Sequence, residues 1–458
     1  MLYRKFANKI ERYLREEPHK ILLVNGARQI GKTFLIRHIG QKLFPNYVEI
    51  NLKEDSEGQG LFAHVKSTDD FYLQLGAIAG NHLDQKENTL VFLDEIQSYP
   101  HILTMLKFLN QDQRYTYIAS GSQLGVALSR SASVPLGSIS VQQMYPLDFE
   151  EFLLAMGCGQ ETIDGFRSCF RAGKSLNESQ HEFMLRQFRL YLLVGGMPEV
   201  VNRFLATQNI VQVRQIQREI YELYRIDASQ YDNERKLMIR RIFDMIPSNM
   251  ENKKKRIVAK KIEPAGRHKQ FSDYAEEFEY LTQSGVALQV QAISNPRFPL
   301  IESEQKNLLK LYLNDVGLLT MLLYDININA ILQDQRSVNL GAVYESVVAQ
   351  ELHAHGFSLH YYDNKQKGEV DFLIDDYPHL TIRPIEVKSG KDYKVHSALD
   401  RFLAVPEYGI HQATVFSNER EVVSSNGVTY QPIYYCMFYQ RDGDVKDVII
   451  PPVPVPAG

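Results

Sequence analysis

The chain has 458 residues, of which 44% are hydrophobic and 23% are charged, and its formal net charge is −4 at pH 7. These values are ordinary for a globular protein and leave room for roughly three domains. They exclude a protein whose whole surface binds nucleic acid, because such proteins are normally basic. We expect no membrane segment, since no apolar run reaches the roughly 18 residues that a bilayer requires.

The cysteine spacing and the N-terminus indicate the compartment. Cys158, Cys169 and Cys436 have neither the spacing of metal ligands nor that of a disulfide framework. The first segment, MLYRKFANKIERYLREEPHK, lacks the apolar region of a secretion signal. Both features favour the reducing cytoplasm.

The first functional motif follows a short apolar run, Ile21 to Val24, and precedes a segment of helical period. It fits G-x-x-x-x-G-K-[ST], in which backbone N–H groups surround phosphate oxygens at a helix N-terminus. We expect Lys32 to reach the β- and γ-phosphates of ATP and Thr33 to hold Mg²⁺. The alternative is a chance match in a glycine-containing turn, but the strand and helix on either side favour the motif. The predicted nucleotide-binding residues are Gly26, Ala27, Arg28, Gln29, Ile30, Gly31, Lys32, Thr33 and Phe34.

A second stretch, TLVFLDEIQSYP, reads as a continuous apolar strand that ends in Asp94 and Glu95. Such strands are typical of the centre of a parallel sheet, and ligands bind at the carboxyl ends of those strands. We predict that Asp94 supports Mg²⁺ and that Glu95 orients or deprotonates the attacking water. The alternative, an acidic cap on the next helix, does not explain why two motifs occur in this order.

The next predicted strand, YTYIASGSQL, ends in Ser120, Gly121 and Ser122. We assign Ser122 a catalytic place beside Lys32 and Glu95, where its hydroxyl would contact the γ-phosphate or the attacking water. Ordinary turn chemistry accounts for these residues equally well.

At this point the sequence resembles AAA-type ATPases of bacteria and archaea that carry a C-terminal region of unknown function with a restriction-endonuclease-like fold. The resemblance extends over nearly the whole chain through YPLDFEEFL (Tyr145 to Leu153), LLVGGMPEVV (Leu192 to Val201), LYLNDVGLL and GAVYESVVAQEL. Together with the apolar periodicity, it implies an α/β protein with four parts. These are a P-loop parallel-sheet ATPase domain (1–150), a helical lid or connector (151–235), a winged-helix-like segment (236–330) and a nuclease-like α/β domain (335–458).

One position departs from the pattern of the family. Ser138 stands just before the YPL segment, where many relatives have a basic residue. An arginine that acts in trans on the γ-phosphate can contribute roughly 10³–10⁵ in rate. Without such an arginine we expect a slow, switch-like ATPase, unless another basic residue takes its place. Assembly of the chain into an oligomer is compatible with this expectation. Arg130 is the nearest basic candidate, although a solvated loop arginine is the simpler interpretation.

The winged-helix-like segment reads as three helices followed by a β-hairpin, in which ALQVQAIS and LKLYLNDVG would form the wing. It also contains the most basic stretch of the chain, which would suit the phosphate backbone of a nucleic acid. We place this patch at the Lys253–Lys261 region. A solvated charged face is the alternative, and the acidic segment FSDYAEEFEYL is poor chemistry for a recognition helix. A protein partner therefore remains a second hypothesis. The basic residues are Lys253, Lys254, Lys255, Arg256, Lys260, Lys261, Arg267 and Lys269.

The C-terminal part contains GEVDFLIDDYPHLTIRPIEVKSG, which predicts two strands around a turn. Side chains alternate along a strand, so Glu386 and Lys388 share one face and can meet Asp371 on the neighbouring strand. Glu345, from the preceding helix, would be the fourth member. The pattern resembles the active site of restriction-endonuclease-like nucleases, which implies metal-binding carboxylates and a lysine that activates water. There are three alternatives. The strands have solvent-exposed polar faces, the fold is retained for binding after its chemistry was lost, or Glu386 and Lys388 form a surface ion pair.

Three functional hypotheses follow. The first is a Mg²⁺-dependent ATPase, binding ATP and ADP, whose nucleotide state controls the C-terminal domains, on nucleic acid or otherwise. The second is a nucleotide-dependent protein-interaction switch with a non-catalytic nuclease-like domain. The third is an ATP-regulated nuclease.

Overall fold

A computed structural model describes most of the chain. The described residues are 1–16, 19–122, 124–125, 137–228, 235–251, 256–257, 262, 270–333, 340–390 and 392–441. Across those ranges, no helix combines the length and the apolarity that a membrane crossing needs.

The N-terminal part is a five-stranded parallel sheet in the order β2-β3-β4-β1-β5. β1 and β3 are buried along their whole length, which explains their continuous apolar runs. The strands are β1 (Ile21–Asn25), β2 (Asn46–Asn51), β3 (Thr89–Asp94), β4 (Thr116–Gly121) and β5 (Ile139–Gln143). The helices around them are α1 (Lys5–Glu16), α2 (Lys32–Leu43), α3 (Leu52–Glu57), α4 (Thr68–Ala79) and α5 (Pro100–Asp112). This confirms the predicted parallel-sheet ATPase architecture.

The middle of the chain is helical, as predicted. Asp148 and Asn177 each form a reciprocal capping box with the residue three positions later, and these boxes set where two of the helices begin. The helices are α6 (Phe149–Ala155), α7 (Gln160–Arg171), α8 (Glu178–Val194), α9 (Pro198–Thr207) and α10 (Ile210–Ala228).

The remainder is built on an eight-stranded mixed sheet in the order β12-β13-β11-β10-β9-β8-β6-β7. Its strands are β6 (Ala287–Asn295), β7 (Glu304–Leu313), β8 (His360–Asn364), β9 (Gly368–Asp376), β10 (Thr381–Val387), β11 (Ala413–Ser417), β12 (Val423–Ser425) and β13 (Val428–Pro432). The helices are α11 (Lys236–Glu251), α12 (Ala275–Gln283), α13 (Val316–Tyr324), α14 (Asn329–Leu332), α15 (Gly341–Ala354) and α16 (Ser397–Leu403).

The hairpin predicted as a wing has a different place from the one expected. β6 pairs with β7 on one side and runs parallel to β8 on the other, so the hairpin extends the C-terminal sheet. The boundary expected between 330 and 335 therefore divides strands that share one sheet. The winged-helix outline stays a prediction, because most of 252–269 lies outside the described residues.

One continuous apolar core joins the parts. It contains Leu22 of β1, Tyr191 of α8, Tyr312 of β7 and Val347 of α15, all buried. The same cluster includes side chains from the parallel sheet, the helices and the mixed sheet. Because these side chains pack against one another, a movement of one part presses on the others.

Candidate functional site

The phosphate-binding loop joins β1 to α2 at the carboxyl edge of the parallel sheet. A Cβ on Gly26 would lie 2.5 Å from the backbone oxygen of Met144, so only glycine fits there. Lys32 is buried, and its Nζ donates to the carbonyl oxygens of Gly26 (2.9 Å) and Ala27 (2.7 Å). Burial lowers the pKa of Lys32 to about 8, although two nearby carboxylates partly offset it. The backbone carbonyl groups of the loop therefore surround the side-chain amine of Lys32.

Asp94 connects this loop to β3 and β4. The hydroxyl of Thr33 donates to Asp94 Oδ2 at 2.7 Å, and the hydroxyl of Ser120 donates to Oδ1. Burial raises the pKa of Asp94, and the two hydroxyls oppose that shift by stabilising the carboxylate. The predicted metal pair, Thr33 and Asp94, is thus in direct contact.

Glu95 follows Asp94 in a left-handed backbone conformation, with φ at 53°. Such a conformation is unfavourable for a non-glycine residue and is common at active sites. Gln97 Nε2 donates to Glu95 Oε2, and the Ser122 hydroxyl lies 3.5 Å from the same oxygen. The structure therefore brings the three predicted catalytic residues, Lys32, Glu95 and Ser122, to one edge of the sheet.

The other loop residues differ in environment. Ala27 and Ile30 are buried, whereas the Phe34 side chain is 58% exposed. Gln29 has φ at 65°, which gives the loop its turn. Only the backbone of such positions is available to line a phosphate group.

Arg28 ties the loop to helix α10. Its Nη1 lies 2.7 Å from Asp227 Oδ1, and its Nε donates to the Ser122 hydroxyl at 3.4 Å. The hydroxyl of Tyr224, also on α10, donates to the carbonyl oxygen of Arg28 at 2.9 Å. Burial raises the pKa of Asp227, and Arg28 opposes this. One helix thus contacts both the side chain and the backbone of the loop.

In the C-terminal sheet, Asp371, Glu386 and Lys388 do converge. The register places Ile385 opposite Phe372, so Glu386 follows beside Asp371. Asp371 Oδ2 accepts the backbone N–H of Val387 at 2.9 Å, and Lys388 Nζ lies 2.7 Å from Glu386 Oε1. Burial, together with Asp371, raises the pKa of Glu386 to about 7.

Glu345 joins a neighbouring group of charges. Lys310, on β7, is fully buried, with its Nζ 2.6 Å from Glu369 Oε1 and 3.8 Å from Glu345 Oε2. The Tyr312 hydroxyl donates to Glu345 Oε2 at 3.3 Å. Burial alone would lower the pKa of Lys310, but Tyr312, Glu369 and Asp371 outweigh it and raise that pKa. Glu345 is thus paired with an ammonium group.

These residues do not fit the divalent metal that a nuclease of this type would need. Within the described ranges, no three His, Cys, Asp or Glu side chains are arranged to hold a metal ion. A metal there would have to approach carboxylates that already contact Lys310 and Lys388. The convergence of the predicted residues is therefore real, but the metal role of Asp371, Glu386 and Glu345 is not supported.

Most of the basic residues singled out in the sequence lie outside the described ranges. Arg130 lies there, as do seven of the eight basic residues of the Lys253–Lys261 region and its flanks. Arg256 is described, and its Nη1 lies 3.3 Å from Asp363. Ser138 contributes its carbonyl oxygen to the backbone N–H of Ile21 at 2.9 Å.

Four residues that contact the predicted site residues were given no role from the sequence. Ser120 and Gln97 flank the predicted residues, and the placement of Ser120 at the carboxyl end of β4 was a usable signal. Asp227 and Lys310 had none, because each is brought to its site by helices or strands that are distant in the chain.

Three family models match separate parts of the sequence. Residues 18–153 match an AAA domain, residues 185–329 match a domain of unknown function (DUF8612), and residues 340–436 match another (DUF4143). No match to a curated protein was found. The restriction-endonuclease-like character of the last domain stays a prediction.

Several solved structures match parts of the chain at low identity. The Walker-type ATPase PABY2304 of Pyrococcus abyssi is 14% identical, with a TM-score of 0.42 over 70% of this chain and 96% of that chain. The RuvB Holliday junction branch migration motor of Thermotoga maritima is 15% identical, with a TM-score of 0.30 over 62% and 89%. AMPPCP-bound DnaA from Aquifex aeolicus is 11% identical, with a TM-score of 0.27 over 55% and 76%.

The range of the AAA family match includes the residues of the candidate site. Lys32, Thr33, Asp94 and Glu95 all lie within the matched segment, at the carboxyl edge of the parallel sheet. Residues 18–153 are therefore similar to an AAA domain, and they contain a loop with the sequence pattern of a P-loop.

Proposed function

We propose that the chain binds and hydrolyses ATP with Mg²⁺, and that its nucleotide state controls the C-terminal domains. The observation that carries the proposal is the 2.7 Å contact between the Thr33 hydroxyl and Asp94, beside the buried ammonium of Lys32. A hydroxyl and a carboxylate held together at the end of a parallel strand are oxygen ligands of the kind Mg²⁺ prefers. The donor set fits the cofactor.

Each side chain has a distinct role. Thr33 and Asp94 would hold the ion, which when bound neutralises phosphate charge. Lys32 would exchange its two carbonyl partners for phosphate oxygens, an exchange that also favours its protonated form. Glu95 would accept a proton from the attacking water, with Gln97 and Ser122 fixing its orientation.

A small apolar cavity beside the loop would take the base. Its volume is about 140 Å³, and it is lined by Leu2, Phe34, Met144, Pro198 and Asn202 among others. Arg4 also lines the cavity, and apolar walls with the Asn202 amide and the Arg4 guanidinium suit the faces and the polar edge of a purine. The bound nucleotide would therefore contact the N-terminal segment and helix α9 as well as the loop.

Control of the C-terminal domains would begin at Arg28. A γ-phosphate attracts Arg28 and repels the carboxylate of Asp227, so it competes with their 2.7 Å ion pair. Because Asp227 is at the end of α10 and Tyr224 bonds the loop backbone, weakening the pair changes how this helix is held. Asn314, which precedes α13, donates to the Tyr224 hydroxyl at 3.4 Å and extends the connection.

For the C-terminal domain, the burial of Lys310 among carboxylates favours a nucleotide-dependent interaction switch over a nuclease. Nucleic-acid binding through the Lys253–Lys261 region stays a prediction, as does assembly into an oligomer.

The test uses the full-length protein. ATP turnover and the binding of a fluorescent ATP analogue are measured with Mg²⁺ and with EDTA, and amide hydrogen exchange in residues 340–441 is compared with and without nucleotide. Mg²⁺-dependent turnover with altered exchange supports the proposal. Turnover with unchanged exchange would leave an ATPase but refute control of the C-terminal domain.

A further inference from the structure

The C-terminal sheet encloses a lysine side chain that has no exposed surface. Lys310 lies on β7 opposite Val290 of β6, and its side chain turns inward toward α15 and β9. Its Nζ is 2.6 Å from Glu369, 3.8 Å from Glu345 and 4.7 Å from the centre of the Tyr361 ring. Two carboxylates and an aromatic face therefore surround one ammonium group.

The Lys310 ammonium lies near the acids that were predicted to form a nuclease site, Glu345, Asp371 and Glu386. Glu369 and Asp371 alternate along β9, so they share a face, and Glu386 lies beside Asp371 on β10. Asp371 acts electrostatically on both Lys310 and Glu386. The cluster thus has four carboxyl groups and two ammonium groups, and the more deeply buried of the two is Lys310.

Glu345 and Glu386 are buried and Glu369 and Asp371 are half-buried. Carboxylates placed together in this way need a compensating cation, and a fully buried lysine needs acids for the same reason. In a metal-dependent nuclease a divalent ion meets this need. Here Lys310 meets it from β7, a strand that belongs to the preceding segment of the chain. A divalent ion that bound Glu345 would lie beside this ammonium, because Nζ of Lys310 is 3.8 Å from Glu345 Oε2, and would be repelled by it.

We propose that Lys310 is the permanent cation of this carboxylate cluster and occupies the place of the divalent metal. The cluster is thus an internal ionic junction that holds β7 against β9 and α15. The domain acts through binding, without metal-dependent phosphodiester cleavage at Asp371.

Manganese binding to the full-length protein without nucleotide tests this. Free Mn²⁺ is counted by its electron paramagnetic resonance signal for the wild type, Asp371→Asn, Lys310→Met, Lys310→Arg and Lys310→Met/Asp371→Asn. Comparison with Asp371→Asn cancels any Mn²⁺ taken up at Thr33 and Asp94. We expect equal uptake by the wild type, Asp371→Asn and Lys310→Arg. We expect one additional Mn²⁺ per chain in Lys310→Met, lost again in the double variant.

Two outcomes would overturn the proposal. One is a wild type that binds one Mn²⁺ more than Asp371→Asn, which decides the matter even if Lys310→Met does not fold. The other is a folded Lys310→Met whose uptake does not exceed that of the wild type. As a second readout, Mn²⁺ should raise the melting temperature of Lys310→Met by more than that of Lys310→Arg, in which only binding at Thr33 and Asp94 contributes.

Discussion

The backbone N–H of Phe149, at the start of α6, donates to Glu351 Oε1 on α15 at 2.9 Å. These two residues lie 202 positions apart in the chain. The Tyr191 hydroxyl lies 3.2 Å from the same oxygen and 2.6 Å from the carbonyl oxygen of Leu147. Burial raises the pKa of Glu351 well above its usual range, and Asp148 adds to this. A single carboxyl group therefore joins the ATPase domain to the first helix of the C-terminal domain.

A second contact of this kind lies nearby. Asp315, which caps α13, accepts the backbone N–H groups of Gly196 at 2.6 Å and Leu318 at 3.1 Å. Gln350 on α15 accepts the N–H of Val316 at 2.8 Å. The four stretches quoted for the family resemblance thus meet in one buried polar network, which explains why they occur together.

Replacing the loop lysine should abolish nucleotide binding. Lys32→Ala removes a buried cation from the place of the phosphates, and we expect a loss of about 2–5 kcal/mol in binding free energy. Lys42→Ala, at the other end of the same helix, removes an exposed lysine and should change binding by less than about 0.5 kcal/mol. Titration with a fluorescent ATP analogue measures both. Full turnover by Lys32→Ala would refute the assignment of the site.

Replacing the proposed base should separate binding from hydrolysis. Glu95→Gln keeps the size of the side chain but cannot accept the proton, so we expect single-turnover hydrolysis to fall by roughly 10²–10⁴-fold with nearly unchanged affinity. Glu87→Gln, on the surface before β3, is the matched control. An equal rate for Glu95→Gln and the wild type would assign the base to another residue.

The ion pair between α10 and the loop should oppose nucleotide binding. In Asp227→Asn, Arg28 is free for phosphate, and we expect affinity to rise roughly fivefold, or about 1 kcal/mol. The nucleotide-dependent change in hydrogen exchange over residues 340–441 should diminish. The control is Asp244→Asn, which breaks the ion pair between Asp244 and Arg225 of α10. It should change neither the affinity for nucleotide nor the hydrogen exchange. Weaker ATP binding by Asp227→Asn would contradict this view of the pair.

The junction at the end of α8 should not tolerate a side chain. Gly195 has φ at 75° and ψ at −166°, and a Cβ there would lie 2.2 Å from Asp315 Oδ1. We expect Gly195→Ala to lower stability by about 2–4 kcal/mol, from backbone strain and displacement of Asp315. Gly165→Ala, on the exposed face of α7, should instead stabilise by about 0.5–1 kcal/mol. Melting temperatures of the two variants should move in opposite directions, and a neutral Gly195→Ala would show that Asp315 can move without cost.

Acid should destabilise the protein through His353. Burial lowers the pKa of His353 from 6.5 to about 4. As pH falls from 6.5 toward 4, the unfolded chain takes up a proton that the folded chain does not. Stability is therefore lost by about 1.4 kcal/mol per pH unit.

The measurement for His353 is a comparison of melting temperatures at pH 7.5 and pH 5. His353→Gln should gain stability relative to the wild type as the pH is lowered, whereas the exposed-residue variant His38→Gln should keep a constant difference. If the difference between His353→Gln and the wild type is the same at both pH values, His353 does not titrate in this way.

The sequence by itself determined the parallel sheet and the loop that we propose as the nucleotide site. β1 and β3 are buried on both faces, so their apolar runs were readable, and the loop residues from Gly26 to Thr33 are contiguous in the chain. The strands β9 and β10 were readable for a similar reason, because their alternation and the turn between them are local. Convergence of Asp371, Glu386 and Lys388 followed from that pairing.

Only the tertiary structure decided how these parts meet. Asp227 lies 199 residues from Arg28, and Lys310 lies 59 residues from Glu369 on a strand that had been expected in a separate wing. Such contacts depend on how helices and sheets pack, and no local pattern of residues encodes that packing. The sequence could therefore indicate which acids gather in the C-terminal sheet, but the fold alone showed that a lysine already lies among them.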